Sequence, residues 1–158
     1  MSKENIHQLV KDFGREIGLA DMAMDENDFV CLFTNDGVVL NLDYHEDEDV
    51  LVMYTTVGEI PDDKRLQLYQ ELLQANFFWE STAGATMCVD HTAERVMLMA
   101  NITVSDLDLP KLMAVLDHFT GLAWAWSDRI RELVGQEANI EPPKGDAPPG
   151  MFDPSRLA

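Results

Sequence analysis

Apolar residues along this chain keep two different periods, and the places where one gives way to the other mark its elements. Ile6, Leu9, Val10, Phe13 and Ile17 recur at helical spacing, while Lys3, Glu4, Lys11, Asp12, Arg15 and Glu16 fall mainly on other faces. That spacing predicts an amphipathic helix stopping near Gly18. In "NDFVCLFTNDGVVLNLDY" the period becomes two. Phe29, Cys31 and Phe33 alternate with Val30, Leu32 and Thr34, and after Asn-Asp-Gly, Val38, Leu40 and Leu42 alternate with Val39, Asn41 and Asp43. Asn and Gly tolerate positive φ, so this run reads as a β-hairpin. "HEDED" (His45 to Asp49) follows as a solvated loop, and "VLVMYTTVGEI" supplies a third strand closed by Pro61.

Asp62 or Asp63 can cap a second helix through "KRLQLYQELLQANFF", with Leu66, Tyr69, Leu72, Leu73 and Phe77 as its apolar stripe. "STAGA" breaks that helix. Runs from Thr86 to Val89 and from Val96 to Ile102 then make a second hairpin. A last helix begins near Asp106 or Asp108, takes Pro110 in its first turn and extends to about Val134. The predicted order is α-β-β-β-α-β-β-α, an α+β fold with an antiparallel sheet packed by helices. Residues 1–134 form one domain, and 135–158, holding five of the seven prolines, read as a Pro-rich flexible tail.

Two features of this pattern do not close within one chain. The strands "FVCLF" and "VVL" are apolar on both faces, whereas helices on one side of a small sheet cover only one. Phe77, Phe78 and Trp79 also stand in a row, and a helix buries one or two such neighbours. Phe77 is expected to continue the helix stripe into the core, with Phe78 and Trp79 pointing away from it. Met53, Met87, Met97 and Met99 fall on predicted strands and Met113 on the last helix. Each singly is core filler; together they suit a surface that adapts to varied apolar partners. The uncovered face needs a twin subunit or a bound peptide.

Composition narrows the partner. With 29 acidic against 11 basic residues the net charge is −18, which repels phosphate backbones and anionic lipid. Nucleic-acid and membrane partners are therefore not expected. No segment reaches the length of a membrane span, and the N-terminal stretch lacks the apolar core of a signal peptide. Cys31 and Cys88 sit in apolar surroundings and read as buried thiols of a reducing compartment, which points to the cytoplasm. Candidate chemistry is sparse. His7, His45, His91 and His118 lie in separate elements without ligand spacing, and the glycines stand singly rather than in a phosphate-cradling loop. "HEDED" lacks the glycine and the alternating ligand positions of a calcium loop, and nothing orients His91 as a base for Cys88. No enzyme activity, metal or cofactor is expected.

The stretch "LYQELLQANFFWESTAGATMCVDHTAERVMLMANI" resembles the central segment of the class I type III secretion chaperones, the Tir chaperone family. The likeness rests on Leu72, Leu73, Ala75, Asn76, Phe77, Phe78, Gly84, Ala85, Thr86, Asp90, Val96 and Leu98, and the element order extends it to roughly residues 3 to 134. Trp79, Glu80 and Ser81 stand where that family usually has small residues, Cys88 lies within the strand, and the proline-rich tail is extra. The resemblance implies a cytoplasmic bacterial homodimer that binds the N-terminal region of a secreted effector, in extended form and without ATP, and keeps it export-competent. It implies an effector-facing set of Leu9, Phe13, Phe29, Cys31, Phe33, Leu40 and Leu42. It likewise implies a dimer interface of Leu72, Phe78, Trp79, Met87, Val89, Met97 and Met99. Two alternatives stay open beside it: a regulatory or adaptor dimer of the same fold, and a small metal-dependent enzyme using "HEDED" and a histidine.

Overall fold

The computed structural model describes residues 3–34, 37–92 and 94–135, together with the backbone of residues 151–152. Helix α1 (Lys3–Glu16) turns Ile6, Val10 and Phe13 inward. Strands β1 (Phe29–Thr34), β2 (Val39–His45) and β3 (Val50–Glu59) follow as an antiparallel meander. A short 3-10 turn over Asp62–Lys64 leads into α2 (Arg65–Asn76). Strands β4 (Thr86–Asp90) and β5 (Arg95–Thr103) form the second hairpin, and α3 (Leu109–Val134) is the longest helix described. The expected order of helices and strands holds. The sheet order is β4-β5-β3-β2-β1-β6, because β5 pairs with β3 and a two-residue strand, β6 (Met151–Phe152), runs parallel to β1. The expected flexible tail otherwise lies outside the described residues, and β6 was not foreseen in it.

Register sorts the strand residues into two faces. Val30, Leu42, Met53 and Ala100 form one row across the sheet, and Cys31, Asn41, Tyr54, Met99 and Thr86 form a row on the opposite face. The first face is the core. Leu112, Leu116, Phe119, Ala123 and Ile130 of α3 cover it together with α1. Close approach of α3 depends on Gly58, beside a bulge in β3, since a Cβ there would stand 2.5 Å from Ile130 Cγ2. The ends of α3 follow its sequence. The Asp108 side chain accepts from the Lys111 N–H at 2.9 Å. Gly135 takes left-handed φ 71° and donates to the carbonyls of Arg131 and Glu132.

The structure corrects several expected placements. Phe13, Leu40 and Leu42 have no exposed surface, and Leu72 and Met87 are also buried in the single chain. Phe13, Leu40 and Leu42 lie on the sides of α1 and β2 that face the helix-covered core, so they are core and not binding surface, whereas Leu72 and Met87 keep a small exposure lining the groove between α2 and β4. Phe77 is corrected in the other direction. α2 ends at Asn76 and Phe77 turns to extended backbone (φ −69°, ψ 114°), which takes its ring off the helix stripe and leaves it exposed.

One polar cluster ties α1 to the sheet. Asp28, at φ 63° just before β1, receives Lys3 Nζ at 2.6 Å on Oδ2 and meets His7 Nε2 at 2.7 Å through Oδ1. The bond from Lys3, helped by His7 and opposed by desolvation, holds the Asp28 carboxyl below its ordinary value. A depressed carboxylate stabilises the folded state above the unfolded-state value, and that contribution disappears as pH falls through the folded one. Asp28→Asn is therefore expected to lower the denaturant midpoint at pH 7, with the two proteins converging below about pH 4; parallel curves would show that the cluster does not stabilise the fold. Phe13→Ala is expected to cost about 3 to 5 kcal/mol in urea unfolding, the range for emptying a buried phenylalanine site.

Candidate functional site

Helix α2 carries apolar residues on two sides. Leu68, Leu72 and Ala75 are buried, while Leu66 and Leu73 are 73% and 72% exposed. Half-buried Tyr69 lies between these two at helical spacing, so the outer stripe is continuous. It runs on into the aromatic turn, where the rings of Phe77 and Phe78 meet edge to face at 4.5 Å and Trp79 is 54% exposed. Phe78 and Trp79 both hold left-handed backbone, at φ 53° and 54°. Each such residue costs on the order of 1–3 kcal/mol, and the surroundings must hold it. Here the Trp79 carbonyl accepts from the N–H groups of Thr82 and Ala83, and Trp126 Nε1 of α3 donates to the Ser81 carbonyl at 3.0 Å.

Between α2 and β4 lies an open groove of about 410 Å³, lined by Tyr69, Leu72, Leu73, Met87, Val89 and His91 among others. At its side Asn76 performs a specific task. Its Nδ2 donates to the Met87 carbonyl at 2.9 Å and its Oδ1 accepts from the Met87 N–H at 2.8 Å. The carboxamide thus takes the place of a neighbouring strand and closes the middle of the β4 edge.

The second exposed surface is the sheet face away from α1 and α3. Phe33 is 46% exposed and pairs with exposed Val39 on β2. Phe29, Cys31, Tyr54, Met97 and Met99 are half-buried on that same face. Cys31 and Cys88 are free thiols, and desolvation pushes both above their ordinary value. They are therefore neutral, apolar contributors and not activated nucleophiles. Desolvation pushes the Tyr54 hydroxyl up as well. The face is uncharged along the row Cys31, Asn41, Tyr54, Met99 and Thr86, in a chain of net charge −18. Among the described residues no group of three or more His, Cys, Asp or Glu side chains is placed to hold a metal ion, and no helix is long and apolar enough to cross a membrane.

The expected site residues therefore separate. Phe29, Cys31 and Phe33 come together on the open face of β1, and half-buried Leu9 packs against the core. Phe78 and Trp79 sit exposed at the end of α2. Met97 and Met99 share the open face with Cys31, whereas Val89 pairs with Val96 on the core side. Leu66, Leu73 and Phe77 join the exposed α2 surface, although sequence reasoning placed them in one buried stripe. The available signal was that α2 has more leucines than one face can bury.

The order α1-β1-β2-β3-α2-β4-β5-α3 around five antiparallel strands matches the fold of solved type III secretion chaperones. The sequence profile of the Tir chaperone protein (CesT) family matches residues 8–127, and the chain belongs to that family, a family of chaperones and not of enzymes. Solved structures agree in fold. ExsC, in the ExsC–ExsE complex, superposes with a TM-score of 0.72 at 20% identity, over 81% of this chain and 96% of that one. The Yersinia pestis type III secretion chaperone SycH, in complex with a fragment of YscM2, gives 0.59 at 21% identity over 76% and 98%. The ExoU–SpcU complex of Pseudomonas aeruginosa gives 0.58 at 18% identity over 81% and 96%. No curated protein matches in sequence.

Asn76→Ala removes both bonds to Met87 and is expected to cost about 1–3 kcal/mol in urea unfolding. It also bares the β4 edge, so turbidity on standing should rise; an unchanged midpoint and clear solutions would contradict the edge-closing role.

Proposed function

We propose that this chain is a type III secretion chaperone that works as a cytoplasmic homodimer. It binds the N-terminal region of a secreted effector in extended form, without ATP, and keeps it competent for export. The observation that carries the reading is the pair of uncovered apolar surfaces on a chain of this family: the sheet face around Phe33, and the α2 stripe continuing into Phe78 and Trp79. The structural neighbours support it, because ExsC, SycH and SpcU are each described in complex with another protein.

The two surfaces have different occupants in this reading. The α2 stripe, with the groove against β4, faces the second copy of the chain, where left-handed Phe78 and Trp79 present rigid rings at low entropic cost. The open face and edge of β1 take the effector. An extended segment there forms main-chain hydrogen bonds to the strand and drops alternate side chains onto the sheet. Ordering that segment costs about 1–2 kcal/mol per residue in backbone entropy, so the contact must be long and apolar. Glycines placed singly leave the chain without a phosphate-cradling loop, in keeping with binding driven by contact alone.

Leu73→Asp and Trp79→Ala are each expected to shift sedimentation from dimer toward monomer without lowering helix content; unchanged sedimentation removes that surface from the interface. Purified from its own cells in nucleotide-free buffer, the protein is expected to retain a second polypeptide, of which limited proteolysis leaves only the N-terminal region bound. Phe33→Asp should reduce that retention about tenfold while leaving the unfolding midpoint unchanged. A protein that emerges with nothing bound overturns the reading. One holding a folded domain makes the chain an adaptor instead.

A further inference from the structure

The chain holds nine methionines, and the described ones are not equivalent. Met53 and Met87 are 1% and 3% exposed, and Met22 and Met24 are also buried. Met113 of α3 is half-buried but packs against the core. Met97 and Met99 are half-buried on β5 and face away from the core, on the open side of the sheet. Two positions apart on one strand, they share a face at a separation of roughly 7 Å. We propose that Met97 and Met99 are a paired oxidation site, through which a neutral peroxide turns the open face from apolar to polar and loosens its hold on the polypeptide bound there. The loosening rests on the reading that this face holds an effector segment; the oxidation site does not.

The chemistry needs no group beyond the thioether and the oxidant. A sulfur lone pair attacks one oxygen of hydrogen peroxide and the O–O bond breaks. That oxygen stays on sulfur as the sulfoxide, and its proton leaves with the departing hydroxide as water. Sulfur is oxidised by two electrons and the peroxide is reduced. No thiolate takes part, which separates the methionines from the cysteines of the same face. Cys88 stands opposite Met97 and its Sγ donates to the Met97 carbonyl at 3.8 Å. Desolvation keeps Cys31 and Cys88 protonated, and a protonated thiol is a poor nucleophile.

The surroundings of the pair suit the reaction. Thr56 lies opposite Met97 on β3, and its hydroxyl donates to Met97 Sδ at 3.3 Å. A thioether is a weak acceptor and a sulfoxide oxygen a strong one, so the same hydroxyl is in place to hold the oxidised form. Tyr54 and Thr86, which flank Met99, are uncharged like Thr56 and Cys88. A neutral oxidant therefore meets no local repulsion, while the net charge of −18 turns anionic ones away. Once oxidised, each side chain is polar, and an apolar segment can seat on it only by stripping its water. Met53 and Met87 lie on the buried side, so the fold is spared. Methionine sulfoxide is reducible, which makes the change reversible.

The test treats the full-length protein with hydrogen peroxide beside the double variant Met97→Leu, Met99→Leu, whose side chains have nearly the same volume. Peptide mapping by mass spectrometry reads which sulfurs take oxygen, and bis-ANS fluorescence reads the apolar surface. Met97 and Met99 are expected to oxidise about tenfold faster than Met53 and Met87. Dye binding is expected to fall about twofold in the wild type, the α2 stripe keeping its share, and to hold steady in the variant. The urea midpoint should move in neither. Oxidation of all four methionines at one rate overturns the site. A dye signal that survives oxidation, falls equally in the variant or is absent from the start overturns the change of face, and so does a lowered midpoint. Neither readout uses an effector, so a chain that retains none in cells counts against the secretion reading alone. A retained polypeptide that peroxide fails to release overturns the loosening.

Discussion

A sheet has two faces, and the described helices α1 and α3 cover only one of them. α1 and α3 lie on the side of Val30, Leu42 and Met53, and their apolar residues complete a core in which Phe13, Leu98 and Leu116 have no exposed surface. The strands nevertheless carry apolar residues on both sides, because Phe29, Cys31, Phe33, Met97 and Met99 alternate with the buried set. Everything distinctive about the molecule follows from that imbalance. One face is finished by folding, and the other keeps its apolar residues exposed or half-buried.

The edges show the same division. An open strand edge invites uncontrolled pairing, and the two edges here are managed by different means. At β4, Asn76 pairs with Met87 through its side chain, a fixed closure that also anchors the end of α2 against the sheet. At β1 the closure is a main-chain strand of two residues between prolines. The strained aromatic turn belongs to this economy of surfaces as well. Phe78 and Trp79 would be easier to bury if α2 continued, yet the helix stops at Asn76 and the rings are presented outward. A helix end held in left-handed backbone by Trp126 and the Trp79 carbonyl keeps both rings at the surface.

Much of this architecture is legible in the sequence. The 3.6-residue repeat of Ile6, Val10, Phe13 and Ile17, the alternation in both hairpins, and the Asp108 and Gly135 caps place the expected elements within a few residues. Which face each strand residue occupies is less legible. Alternation assigns residues to two faces but does not say which one the helices cover, so it cannot tell that Leu40 and Leu42 face the core. α2 misleads differently. Its leucines occupy both sides, so periodicity cannot separate buried Leu68 and Leu72 from exposed Leu66 and Leu73. The edge pairing of Met151 and Phe152 is a contact between distant parts of the chain, and no local pattern announces it.

The central claim is that one chain is half of a complex that holds a further polypeptide. Native mass spectrometry of the untagged protein, taken from its own cells without added nucleotide, tests this directly. The account predicts an assembly containing two copies of the 17.8 kDa chain and one partner chain. A spectrum holding only the single chain, at concentrations where a secretion chaperone must act, would contradict it.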